Sequence, residues 1–137
     1  MNKSTYKMLT PEQQFWYANV MIDMILADGV IHPSEQKYLG IIFKSFAENP
    51  KQLDHLREKS LRSEPEKILP IEGISNELAI LILEDCTDAA IADAEFHEKE
   101  QKLIHEIGHQ LQLNPKDIES IILKGKQQLG HIFAFAS

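Results

Sequence analysis

The sequence predicts an all-α domain of about seven helices, in which two related helical hairpins share one core. Three observations point there. Segments of about 11–27 and 76–92 are apolar on nearly every side over helical length, as helices covered by others are. No segment reads better as a strand than as a helix. One stretch also occurs twice: Asp23 to Lys37 matches Asp88 to Lys102 after a shift of 65 positions (88 − 23 = 65). The matched pairs are Asp23/Asp88, Ala27/Ala92, Asp28/Asp93, His32/His97, Glu35/Glu100, Gln36/Gln101 and Lys37/Lys102. A length of 137 residues suits one domain, 1–137, with copies at about 15–47 and 80–112.

The elements follow in order. Thr10 can cap the first helix, Pro11 suits its first position, and Gln13 completes a capping-box spacing. The helix should run to about Ala27 through Phe15, Trp16, Val20, Met21, Ile22, Met24, Ile25 and Leu26. Asn19 and Asp23 are its polar exceptions. A second helix starts near Pro33 with His32 as its cap and runs to about Ala47, on a stripe of Leu39, Ile42, Phe43 and Phe46. Asn49-Pro50 opens a polar surface helix to about Leu61, and Ser63 to Pro70 has room only for a short one. Ser75 caps the next long helix, about Asn76 to Ala92. Its run Leu78 to Leu83 would also suit a buried strand, but Ala89, Ala90 and Ala92 continue it without a turn signal. His97 repeats the capping role of His32, for a helix to about Leu113. Asn114-Pro115 opens one from about Lys116 to Leu129, and His131 to Ser137 forms a last short helix.

Charge bounds the partners. The net charge of −7 disfavours nonspecific binding to nucleic acid or anionic membrane; it suits a protein that attracts cations, and simple solubility accounts for it more readily. The single cysteine, Cys86, lies in an apolar helical run and reads as a small buried hydrophobe. No signal-peptide core and no membrane-spanning stretch is evident, so the expected location is the cytoplasm.

The repeated acids are the candidate site. Glu100 falls near the middle of the apolar face set by Leu103, Ile104, Ile107 and Leu111, and Glu35 does the same ahead of Leu39, Ile42 and Phe46. An inward carboxylate needs a partner. Asp28 and Asp93 each end a helix, where the macrodipole disfavours an acid. Two accounts compete. In one, each Glu accepts from the amide of its own cap residue and each Asp from amides of its own turn. In the other, Asp23, Asp28, Glu35, Asp88, Asp93 and Glu100 supply carboxylates to a shared metal site. Oxygen ligands favour calcium, magnesium or manganese, and His32 or His97 would tilt the choice towards zinc or manganese. Asp28 to Glu35 also imitates the second half of an EF-hand loop. The first two ligand positions would be Met24 and Leu26, which excludes a true EF-hand.

A second motif is His105-Glu106-Ile107-Gly108-His109, which matches the H-E-x-x-H zinc-protease signature. Two histidines four apart share a helix face, and the glutamate could activate a zinc-bound water. The extended motif fails at Gln112 and Pro115, and the histidines lie opposite the apolar stripe. The expectation is an exposed histidine pair that binds zinc adventitiously, without proteolysis.

The pattern A-D-G-x-I-x-x-x-E after an apolar helix, repeated as A-D-A-E-F-H-x-x-E, resembles the TerB-like family. That family takes in tellurite-resistance TerB proteins and the N-terminal domain of membrane-anchored DjlA co-chaperones. The resemblance covers about Phe15 to Leu123. It implies a fold of about seven helices and a metal-linked role for the acids at Asp28, Glu35, Asp93 and Glu100. It does not imply catalysis. The chain departs from the DjlA pattern in lacking a membrane span and an H-P-D motif, and from the stricter motif at Ala94. The expected function is a noncatalytic module that binds a divalent ion or a partner protein in tellurite resistance or another stress response. The alternatives are a small metalloenzyme, acting through residues 105–109 or the acidic cluster, and an interaction domain without metal.

Overall fold

The computed structural model describes residues 3–27, 31, 33–62, 65–91 and 96–136, with side chains at all of these except 3, 4, 34 and 129–136. Among the described residues there are seven helices and no strand: α1 (Lys3–Lys7), α2 (Pro11–Leu26), α3 (Pro33–Ser45), α4 (Pro50–Ser60), α5 (Asn76–Ile91), α6 (Glu98–Gln110) and α7 (Pro115–Ala136). The all-α expectation is borne out, and the apolar run 78–83 is helical.

Capping residues set the helix starts. The Gln13 amide donates to Thr10 Oγ1 at 3.2 Å and the Thr10 amide to Gln13 Oε1 at 3.0 Å, which closes the predicted capping box of α2. Asn49 Oδ1 accepts from the Gln52 amide, Ser75 Oγ from Leu78 and Asn114 Oδ1 from Lys116, at 3.3, 3.2 and 2.8 Å. α6 ends on a Schellman turn. The Leu113 amide bonds back to the Gly108 carbonyl and the Gln112 amide to that of His109, both at 3.0 Å, with Gln112 at φ 61°.

Three details differ from the sequence reading. The five-residue α1 is too short for its apolar pattern to register. The described residues between Leu61 and Ser75 hold no helix, in a stretch with Pro65, Pro70 and Gly73. α7 runs through Gly130 to Ala136 as one helix of 22 residues, since a single glycine inside a helix costs only about 1 kcal/mol.

The helices fall into two compact units, Met1–Lys67 and Ile68–Ser137. In the first, α2 packs on α3 and α4, and α3 on α4. Trp16, Tyr17, Ala18, Met21 and Ile22 of α2 are buried, with Leu39 and Ile42 of α3. The polar α4 is anchored by Leu56, which has no exposed surface. In the second unit α5, α6 and α7 pack pairwise, around Ile82, Leu83, Cys86, Ile104, Ile107 and Ile122. A Cβ on Gly108 would lie 2.7 Å from Ile118 Cγ1 and 3.2 Å from Leu83 Cδ2, so side chains of α7 and α5 already fill the space beside this glycine of α6.

Helix boundaries repeat at the shift found in the sequence. α2 and α5 start 65 apart (76 − 11) and end 65 apart (91 − 26). α3 and α6 do the same (98 − 33 and 110 − 45), and α4 and α7 start 65 apart (115 − 50). They then diverge: α4 stops at Ser60 and the described residues from 65 to 75 hold no helix, while α7 continues to Ala136.

Candidate functional site

Asp23 sits on the last turn of α2, where the apolar run would otherwise be unbroken. It is 1% exposed, and it faces the similarly buried Lys59 of α4. Lys59 Nζ lies 2.9 Å from Asp23 Oδ2. The other oxygen, Oδ1, accepts the Glu66 amide at 3.0 Å. The Glu66 side chain stays close, with Oε1 at 3.8 Å from Lys59 Nζ and Oε2 at 3.4 Å from Arg62 Nη1. Burial pushes the Asp23 carboxyl above its ordinary range, against the opposing pull of Lys59 and the Glu66 amide. Asp23 thus ties α2, α4 and the start of the connector together.

Its counterpart Asp88 is exposed, on α5. Partial burial again raises its pKa, helped by repulsion from Asp85 and Glu84 and opposed by Lys124 of α7. Lys124 follows Lys59 by the same 65 positions (124 − 59), so the acid and lysine recur as a set. The sequence comparison stopped at Lys102 and missed this match. Extending the shift into the third helix of each unit would have found it.

The two glutamates sit on the first turns of α3 and α6. Glu100 is buried at 4% exposure, as its helical phase predicts, and its Oε1 accepts the His97 amide at 3.0 Å. At this position the local hydrogen-bonding account therefore operates. Glu35 is half-buried. Asp28, Asp93 and His32 lie outside the described residues. Among the described residues no three His, Cys, Asp or Glu side chains gather as metal ligands, a set that omits both aspartates of the duplicated turns.

The H-E-x-x-H segment lies on α6 with both histidines exposed. Glu106 does not share their direction. Its Oε1 accepts the Ile68 amide at 3.1 Å and pins the connector to α6. His105 Nε2 lies 3.1 Å from Glu119 Oε1 of α7. The segment thus fastens its neighbours. Cys86 is fully buried, and burial raises its thiol pKa well above the ordinary value, which leaves it an inert packing residue.

Among the described residues no helix is long and apolar enough to cross a membrane. No curated protein and no solved structure matches the chain. The family model of tellurite resistance protein TerB matches residues 14–123, which takes in both copies of the duplicated stretch and all of α3 to α6. With that match spanning well over half of the sequence, the chain belongs to the TerB family.

Proposed function

We infer that the chain is a noncatalytic binding module whose duplicated acidic turns take up a divalent cation, in tellurite resistance or a related stress response. The observation that carries this reading is the TerB match across both copies of the turn. Physical chemistry supports the cation. In the sequence Asp28 and Asp93 each follow the last residue of a helix, Leu26 or Ile91, by two positions; an acid near a helix C-terminus is opposed by the macrodipole, and a bound cation would reverse that penalty. Glu35 and Glu100 are the other carboxylates of the set. Asp23 already spends both oxygens on Lys59 and the Glu66 amide, and so belongs to the frame of the first unit. Oxygen donors favour calcium, magnesium or manganese, and His32 and His97 extend the range to zinc.

The noncatalytic part rests on Glu106. A general base for zinc chemistry must be aimed at a metal-bound water, whereas this carboxylate holds the Ile68 amide. Isothermal titration with each of the four cations tests the proposal. Saturable binding is expected, lost in Asp28→Asn with Asp93→Asn and kept in His105→Ala. Binding that survives the aspartate changes and disappears in His105→Ala would move the site to the histidine pair. Zinc-dependent peptide cleavage lost in Glu106→Gln would establish the enzyme reading instead.

A further inference from the structure

We propose that the chain associates with further copies of itself, the Lys37–Ile41–Lys44 face of α3 docking on the Glu77–Leu81–Glu84 face of α5 in the next copy. Ile41 and Leu81 are large apolar side chains left 50% and 41% exposed. Each lies at the centre of a charged stripe. On α3 the charges are lysines, four residues before Ile41 and three after it. On α5 they are glutamates, four residues before Leu81 and three after it. Positions i, i+4 and i+7 share one side of a helix, so each triad forms one short stripe. The two stripes have the same spacing, an apolar residue at the same place and opposite charge.

Charge and packing single out a second copy as the occupant. Among the described residues Lys37, Lys44, Glu77 and Glu84 form no ion pair, so all four charges are open to a partner. α5 carries four acids, Glu77, Glu84, Asp85 and Asp88, and no basic residue. The exposed charges of α3 are both lysines, since Glu35 is half-buried. The same division runs through the chain. Residues 1–67 hold nine basic and nine acidic side chains and residues 68–137 five and twelve, so the whole net charge of −7 belongs to the second unit. A basic face of the first unit is therefore drawn to the second unit of another copy rather than to its first. Gly40 lies beside Ile41, and a Cβ there would meet nothing within 4 Å. The backbone of α3 is thus bare at the middle of the stripe and lets another helix come close. Because the two faces differ, the contact is heterologous and can extend beyond a dimer. It needs no metal and is independent of the cation reading.

The test is sedimentation of the intact chain with a chelator, at up to about 1 mM protein and about 50 mM salt, where exposed charges are weakly screened. One helix face on another buries little area, so the expected association is weak, reversible and loosened by salt. Lys37→Glu with Lys44→Glu should weaken it at least about tenfold, as should Glu77→Lys with Glu84→Lys, because each puts like charges face to face. The second variant also brings the net charge nearer zero, so its loss of association separates this contact from general repulsion. An equal mixture of the two variants should associate again, since each then offers the other a complementary face. Gly40→Gln should weaken association in a chain that folds normally, because the space beside Gly40 is open. Circular dichroism and melting temperature check that every variant folds. A parent that stays monomeric throughout, or association indifferent to both reversals, would overturn the proposal. A monomeric parent whose melting temperature falls in each reversal and recovers with all four changes together would mean that the faces meet within one chain, which also overturns the contact between copies.

Discussion

Asp23 and Lys59 are the residues whose energetics the structure specifies most closely. Their attraction is set against the loss of hydration of two buried charges, and the raised Asp23 pKa says that desolvation prevails. Removing one partner leaves the other charge buried without its closest counter-ion. Asp23→Asn or Lys59→Met should therefore destabilise the protein by about 3–5 kcal/mol. Replacing both, as Asp23→Leu with Lys59→Met, should recover most of that loss. Urea unfolding of the two single variants and the double variant measures the difference, and additive losses would show the pair is not a unit. Asp88 gives a pH prediction. Its folded pKa is raised above the ordinary 3.8, so the folded state holds that proton more tightly than the unfolded chain. The stability this contributes is fully present below about pH 3.8 and is lost as pH rises through the folded pKa. Asp88→Asn should thus be more stable than the parent at neutral pH, with the gap closing in acid. Thermal unfolding across that range reads the sign directly.

At the level of elements, most of the fold was legible because its signals are local. Thr10, Asn49, Ser75 and Asn114 mark helix starts through side-chain oxygens that any reader of the sequence can place. The continuity of α7 through Gly130 was not legible, since a glycine near the end of a helical pattern reads as a stop although it costs only about 1 kcal/mol inside the helix. The Asp23–Lys59 contact was equally hidden. The polarity of α4 marked it as a surface helix, and nothing local says that one of its lysines turns inward. Only the shift of 65 positions, carried on to Lys124, gives a sequence-level hint. α6 offers its own test. Gln112 holds a left-handed conformation that glycine adopts without penalty, so Gln112→Gly should stabilise the protein by up to about 1 kcal/mol. Gly108→Ala should act in the opposite direction, costing about 1–3 kcal/mol as Ile118 is pushed aside. Denaturant midpoints of the two variants should move apart, and a shared direction would contradict the helix-end geometry.

For the molecule as a whole, the surplus of acids and the duplicated turn make cation uptake the central claim. Six of the seven identical pairs are polar (Asp, Asp, His, Glu, Gln and Lys), while most apolar positions between them drift. Packing can be met by many apolar side chains, whereas a charged set has fewer substitutes. Without metal, the acids of these turns add to a net charge of −7. A cation that binds only the folded chain stabilises it by about 2.7 kcal/mol when present at about 100 times its Kd. The decisive measurement is the melting temperature of the chelated protein with and without each divalent cation, repeated on Asp28→Asn with Asp93→Asn. A rise of several degrees in the parent, absent from the double variant, is the predicted result. An unchanged melting temperature in the parent, with mild destabilisation from both substitutions, would mean that the acids serve only their own turns.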